Sequence, residues 1–417
     1  MHDLKGFYRF LNHDKVAPGD MLNSYRKGLI QWARSLSADE KPSCLYLFQD
    51  STFGKYHNRK VELGYVERPH DNGVLIHHGI LTDEQFVPWG LAVQQFIQRP
   101  RGDFGKKHQR KQRPFEQKES YKWVEGFEFG RRFQRQTGIP LVQVFDREAD
   151  IADLFNHAGK CRQPFLVRSH YNRKEQNSPR TLQDCMEQTT PAGLIQRSIL
   201  DKQGKKHLRN CEVRWAKVQF DDIQKPLYVL DLRQIEPIEN QENAHWTLLT
   251  NLTISDLGQA ERLIEVYAKR WTTCEDFHKC LKTGCAIEER QLNSAQALFN
   301  AITLLSLLAI ALLRTRHLAQ TDADQNADQV LTPEEFKLAQ ILDNKYLMPI
   351  DRTLCKKDSV LWLILLLGRM GGHQGMKHHG LPGWQSIWAG WKYFQNLVDG
   401  FNLSMNFNDS QKQGFMG

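Results

Sequence analysis

Leu141-Val142-Gln143-Val144-Phe145-Asp146 decides how this chain is read, together with an earlier run of the same make, Cys44-Leu45-Tyr46-Leu47-Phe48-Gln49-Asp50. Each is a short apolar stretch of the kind buried inside a sheet. Each runs out into an aspartate at its carboxyl side, which is where α/β sheets collect their catalytic groups. Asp50 and Asp146 are therefore candidate site residues. An aspartate at a strand end is more often a turn former or a helix cap, and Asp146, followed by Arg147-Glu148-Ala149-Asp150, suits a cap as well.

Working outward, further strands are expected at 73–78, 86–97 and 165–167, and helices at 119–136 and from Asp150 to Asn156. Residues 1–40 read as short helices. Between 99 and 118 stand eight Lys or Arg against two acids, with Phe104 and Phe115 among them; this suits either a solvated loop or an arm that tracks phosphates. From about 190 to 250 the chain is strand-rich (Cys211 to Phe220, Leu227 to Leu232, Trp246 to Thr250), and beyond 256 it is helical. A polar linker is expected at 320–330. Thr332-Pro333-Glu334-Glu335 then has the cap, proline and glutamate of a helix start. The expected class is α/β: a sheet domain over 41–319 carrying an inserted β-rich subdomain, then an α-helical C-terminal domain at 331–417.

The 417 residues are 40% hydrophobic and 25% charged, so a core is assured, and the net charge of +8 favours a polyanionic partner. The eight cysteines include no CxxC pair, which argues against a zinc ribbon and suits a reducing cytoplasm. The N-terminus lacks the apolar run of a signal peptide. Leu298 to Leu313, the greasiest stretch, is broken by Asn300, Thr303 and Ser306 and reads as a core helix too short for a bilayer. No membrane partner is expected. His373, His378 and His379 form a cluster without organising spacing, assigned to a surface turn.

A third acid comes from the stretch Tyr267 to Lys282. On a regular helix Glu275, Lys279 and Lys282 share one face, within about 60° of one another. A carboxylate beside two ammonium groups suits a metal-bound phosphate; a solvated face of ion pairs has the same spacing.

This segment resembles the Tyr-Arg-Glu-Lys signature of the IS-4 (insertion-sequence-4) family of DDE transposases, in particular the Tn-5 group. Look-alike segments follow in order along the chain: Phe7-Tyr8-Arg9-Phe10-Leu11, Gln49-Asp50-Ser51-Thr52, Lys118 to Trp123, Asp146 to Ile151, Val167-Arg168-Ser169, Trp246 to Thr250, Val330 to Glu334, Arg369 to Gly372 and Gly390-Trp391. The resemblance implies an RNase H-like catalytic domain in which Asp50, Asp146 and Glu275 hold two Mg²⁺ ions, with Mn²⁺ as a substitute. Phosphodiester transfer uses such a pair to activate the attacking oxygen and stabilise the leaving one. It further implies strand nicking, a hairpin intermediate and strand transfer, acting on transposon ends and target DNA as a homodimer in the bacterial cytoplasm and nucleoid.

By the same match Tyr267, Arg270, Lys279 and Lys282 would hold phosphates, Trp246 would stack on a displaced base, and Arg168 would touch the DNA backbone. Tyr267 and Trp246 also suit plain packing, and Arg168 suits a solvated basic turn. Trp384, Trp388, Trp391 and Phe394, at helical intervals, are expected to contribute to the dimer contact, although such stripes are usually core.

Two departures stand out. The family has three residues between its signature Arg and Glu, whereas four separate Arg270 from Glu275, which on a helix sets them about 140° apart. The resemblance further implies that residues 1–40 are a remnant of the family's N-terminal DNA-binding region. The rival expectation is therefore an N-terminally truncated, non-catalytic regulator that inhibits a full-length transposase.

Overall fold

The computed structural model describes residues 2–56, 61–203, 205–375 and 380–414; His378 and His379 of the expected turn cluster lie outside them. The strands are β1 (Leu45–Lys55), β2 (Gly73–Thr82), β3 (Pro88–Ile97), β4 (Leu141–Phe145), β5 (Phe165–Arg168), β6 (Gly193–Leu200), β7 (Lys206–Val218), β8 (Leu227–Gln234) and β9 (His245–Thr250). The helices are α1 (His2–Leu11), α2 (Pro18–Ser35), α3 (Lys107–Gln112), α4 (Val124–Thr137), α5 (Ala152–Cys161), α6 (Leu182–Gln188), α7 (Leu257–Lys279), α8 (Ala295–Thr321), α9 (Pro333–Tyr346), α10 (Pro349–Leu354), α11 (Val360–Met370) and α12 (Trp384–Gly414).

The chain divides into two compact units. The larger comprises 19–86 and 91–274; the other comprises 1–18, 87–90 and 275–417. The division thus falls inside α7 and shares the first forty residues between both units, α1 going to one and α2 to the other.

The larger unit is built on one mixed nine-stranded sheet of order β3-β2-β1-β4-β5-β9-β8-β7-β6. β1 pairs antiparallel with β2 and parallel with β4, and β4 pairs parallel with β5. β9 adds antiparallel to β5, and β8, β7 and β6 continue from it in antiparallel ladders. The strand-rich stretch 190–250, expected as an inserted subdomain, therefore extends the same sheet by edge pairing.

Helices cover both faces. Tyr46, Phe48, Val142 and Val144 pack with Ala260, Leu263, Ile264 and Tyr267 of α7 on one face. Phe145, Phe165 and Val167 pack with Val124 and Phe127 of α4 and Leu154, Phe155 and Ala158 of α5 on the other. Local sequence explains the joins. Gly138 ends α4 with φ of 75°, a left-handed cap that glycine adopts without strain, and Pro140 leads into β4. Gly126 lets α4 lie close to the sheet, since a Cβ there would strike the Gln49 amide.

The second unit is helical. α9, α11 and α12 enclose a core of Leu338, Leu342, Trp362, Leu363, Leu366 and Phe394. The capping box of Thr332 and Glu335, with Pro333 at the first turn, starts α9 as its sequence predicts. Two ion pairs stiffen the bundle: Arg369 donates to both Asp351 oxygens at 2.8 and 2.9 Å, and Asp343 accepts from Arg352 and from the Trp362 indole.

The apolar run read as too short for a bilayer is part of α8. At 27 residues this helix is long and apolar enough to cross a membrane by length and composition, but 67% of its most apolar window is buried within the protein. Its polar interruptions do not end it, because Thr303 and Ser306 donate to carbonyls one turn back and Asn300 donates to Leu11 and Val16 carbonyls. In sequence the aromatic stripe is open between dimer contact and core. Trp384, Trp388 and Phe394 are buried, and Trp391 packs against the bundle core.

Candidate active site

The parallel pairing of Phe48 with Val144 places Asp50 and Asp146, each two residues further on, at one level of adjacent strands. Both share the side-chain parity of the residues beneath α7, so their carboxylates project on that face. Asp50 does not follow its strand, as expected, but sits within it, since β1 runs on to Lys55 opposite His78 of β2. Asp146 ends its strand, and it does cap the following turn: Oδ1 accepts from the Glu148 N–H at 2.8 Å. The two readings of Asp146 are thus compatible, for the second oxygen is left to the site.

α7 brings two of the signature residues to the same place. Arg270 is buried and its Nη1 donates to Asp50 Oδ2 at 2.6 Å. Burial opposes its charge, but Cys274, Asp50, Tyr267 and Asp146 outweigh that and hold it more firmly protonated than an ordinary arginine. Tyr267 packs edge-on against Trp246, ring centroids 5.5 Å apart, with the Arg270 guanidinium 5.7 Å from its ring centroid. Burial raises the Tyr267 hydroxyl pKa, against the pull of Arg270 and Arg168. Arg168, at the end of β5, donates to the His245 carbonyl beside Trp246. Asp50, Asp146, Arg168, Trp246, Tyr267 and Arg270 therefore form one cluster in the larger unit.

The setting of Asp146 opposes its negative charge. Burial first, then the charge of Asp50, push the Asp146 carboxyl up to about 6, although Arg270 pulls the other way. Two oxygen-donor side chains with an excess of negative charge are the donor set that Mg²⁺ takes.

Glu275, Lys279 and Lys282 belong to the second unit. Glu275 is half-buried, Lys279 is exposed, and Lys282 lies 3.8 Å from Glu288. The α-helix is unbroken from 257 to 279, with no bulge between Arg270 and Glu275. The residue one turn beyond Arg270 on its own face is Cys274, which is buried in the core with Tyr267. The irregularity comes later: Cys280–Gly284 is a π-helical turn, closed by the Cys285 N–H on the Cys280 carbonyl. Its wider turn takes Lys282 off the regular face that the sequence predicted.

Some supporting residues escaped the sequence reading. Gln49 and Gln143, buried on the far side of β1 and β4 from the aspartates, hydrogen-bond each other at 2.8 Å. Gln143 continues to the Gly126 carbonyl, and His77 joins Gln49 to Ser51. This polar chain ties the two strands together under the site. The period of two was its signal: a glutamine in an otherwise apolar run, one before Asp50 and three before Asp146. Lys122, buried, reaches Glu148 at 3.4 Å and adds a positive charge beside the Asp146 turn.

These features define an α/β protein with a paired-carboxylate, arginine-lined cluster, followed by a helical unit. Residues 307–411, from the middle of α8 into α12, match the family model of the transposase Tn5 dimerisation domain. The match supports a Tn5-like transposase, and with it a homodimer.

Proposed function

We propose that this chain is a DNA transposase of the DDE type, in the IS-4 family, acting on transposon ends and target DNA at the nucleoid of a bacterial cytoplasm. The observation that carries the reading is the level placement of Asp50 and Asp146 on parallel strands, with Asp146 pushed up to about 6 by burial and its neighbour. The strand order β3-β2-β1-β4-β5, with β4 and β5 parallel to β1, supports an RNase H-like sheet.

Asp50, Asp146 and Glu275 would hold two Mg²⁺ ions, or Mn²⁺ in their place, which supply activation of the attacking oxygen and stabilisation of the leaving one. The protein's own groups do the rest. Arg270 exchanges its Asp50 contact for a DNA phosphate, where its planar fork suits two oxygens. Tyr267 and Arg168 line the same path, and Lys279 and Lys282 add point charges. Trp246, half-buried against Tyr267, offers a face to a base turned out at a hairpin. With the tryptophan stripe buried, the exposed apolar side chains Ile341, Met348 and Leu354 of the second unit are the ones to meet a partner copy.

The test is incubation with a pre-nicked duplex bearing the terminal repeat and Mg²⁺, wild type beside Glu275→Gln. Hairpin product that is lost in the variant supports the enzyme; equal product from both defeats it. One observation favours a non-catalytic regulator instead: the unbroken helix that sets Glu275 about 140° from Arg270. On that reading wild type gives no hairpin, and adding it lowers cleavage by an active full-length transposase.

A further inference from the structure

On the sheet face opposite the two aspartates, α4 and α5 bring Glu128, His157 and Cys161 together, with one ligand atom of each within 4.8 Å of the others. His157 and Cys161 stand one turn apart at the end of α5 and so share a face. The Cys161 Sγ lies 3.4 Å from His157 Nε2, and Glu128 Oε1 lies 3.7 Å from the same nitrogen. Tetrahedral zinc ligands, at about 2.0–2.3 Å from the ion, are about 3.4–3.6 Å from one another. The two separations from His157 Nε2 are close to that spacing, and Cys161 and Glu128 lie within 4.8 Å of each other.

The surroundings aim the three groups. Arg131 Nη2 donates to Glu128 Oε2 at 2.8 Å, which leaves Oε1 turned toward His157. The Phe127 ring flanks the imidazole, centroids 5.9 Å apart. A single imidazole nitrogen facing both a thiol and a carboxylate can serve only one of them well by a hydrogen bond, whereas a cation serves all three.

We propose that Glu128, His157 and Cys161 form a zinc site, with the fourth position open to water. Binding replaces the Cys161 thiol proton, which goes to solvent. The thiolate and the Glu128 carboxylate then balance the two charges of the ion, and the imidazole stays neutral. A filled site would staple α4 to α5, the helix that follows the Asp146 turn, without using any residue of the paired-carboxylate cluster.

The experiment is a cobalt(II) titration of metal-stripped full-length protein in excess Mg²⁺, which occupies oxygen-only sites. Wild type should take one equivalent, show thiolate-to-cobalt charge-transfer absorption, and release the cobalt to zinc. Cys161→Ser should lose the band and His157→Ala should weaken binding by about 100-fold or more. Cys185→Ser, a half-buried thiol elsewhere, should leave both unchanged. Zinc should raise the Tm of wild type but not of Cys161→Ser. No band in wild type, or a band that survives Cys161→Ser, overturns the proposal. Because no residue of the carboxylate cluster is involved, either outcome is independent of the hairpin assay.

Discussion

The strand pair β1/β4 and the helix α7 carry acidic residues under different constraints. Asp50 and Asp146 are set by a hydrogen-bonded ladder, in which a slip of one residue turns a side chain to the opposite face. The ladder tolerates no drift, so the two carboxylates stay level. Along α7 each added residue instead rotates everything beyond it by about 100°. Tyr267 and Arg270 join the cluster, and Glu275 lies five residues beyond Arg270 in the other unit. A strand-borne acid is thus pinned by register, while a helix-borne acid is only as well placed as the helix phase before it.

The largest effect expected from breaking the strand side is on chemistry. Asp146→Asn should cut hairpin formation by roughly 10³-fold or more, equivalent to about 4 kcal/mol of barrier. The same variant should be more stable. A carboxyl raised to about 6 in the folded chain favours folding when protonated, an advantage fully present below its unfolded pKa and lost as pH rises through about 6. In chelator at pH 8, Asp146→Asn should therefore gain up to about 3 kcal/mol in urea unfolding, and the gain should vanish below about pH 4. A variant that is destabilised at pH 8 would show the site to be unstrained.

The outer strands provide the next contrast. Asp231 on β8, almost fully buried, accepts from His245, Thr247 and Arg233 at 2.8, 2.7 and 2.6 Å. Burial alone would raise its pKa, but these donors together hold it below the ordinary carboxylate range. Its contribution is present above the unfolded pKa and lost as pH falls through the folded one. Asp231→Asn should cost about 3 kcal/mol at pH 7 by chemical denaturation, because Arg233 loses its partner.

Smaller effects sharpen the helix side. Trp246→Ala should weaken binding to a hairpin end by about 1–3 kcal/mol while leaving intact-duplex binding nearly unchanged, as read by gel shift. Deleting Thr273 returns Glu275 to four steps from Arg270. If helix phase limits this chain, the deletion should raise hairpin formation by about tenfold; a fall would mean that Glu275 is already in place.

Much of this was legible in sequence because it is local. The apolar runs before Asp50 and Asp146, the period of α7 and the cap at Thr332 each lie within a few residues. What escaped reading is long-range. The edge pairing of β5 with β9, which makes one sheet from an expected insert, joins Leu166 to Thr250. The ion pair of Arg270 with Asp50 spans 220 residues. α8 was legible as a core helix, but not the carbonyls that Asn300, Thr303 and Ser306 find inside the fold. The aromatic stripe of α12 had two uses in sequence, and burial chose core.

The most direct test of the central claim is Mn²⁺ binding followed by electron paramagnetic resonance on wild type and the Asp50→Asn/Asp146→Asn double variant. The account predicts saturable Mn²⁺ binding, displaced by Mg²⁺, that is weakened by about 100-fold or more in the double variant while far-UV circular dichroism is kept. Equal Mn²⁺ affinity in both proteins would contradict it.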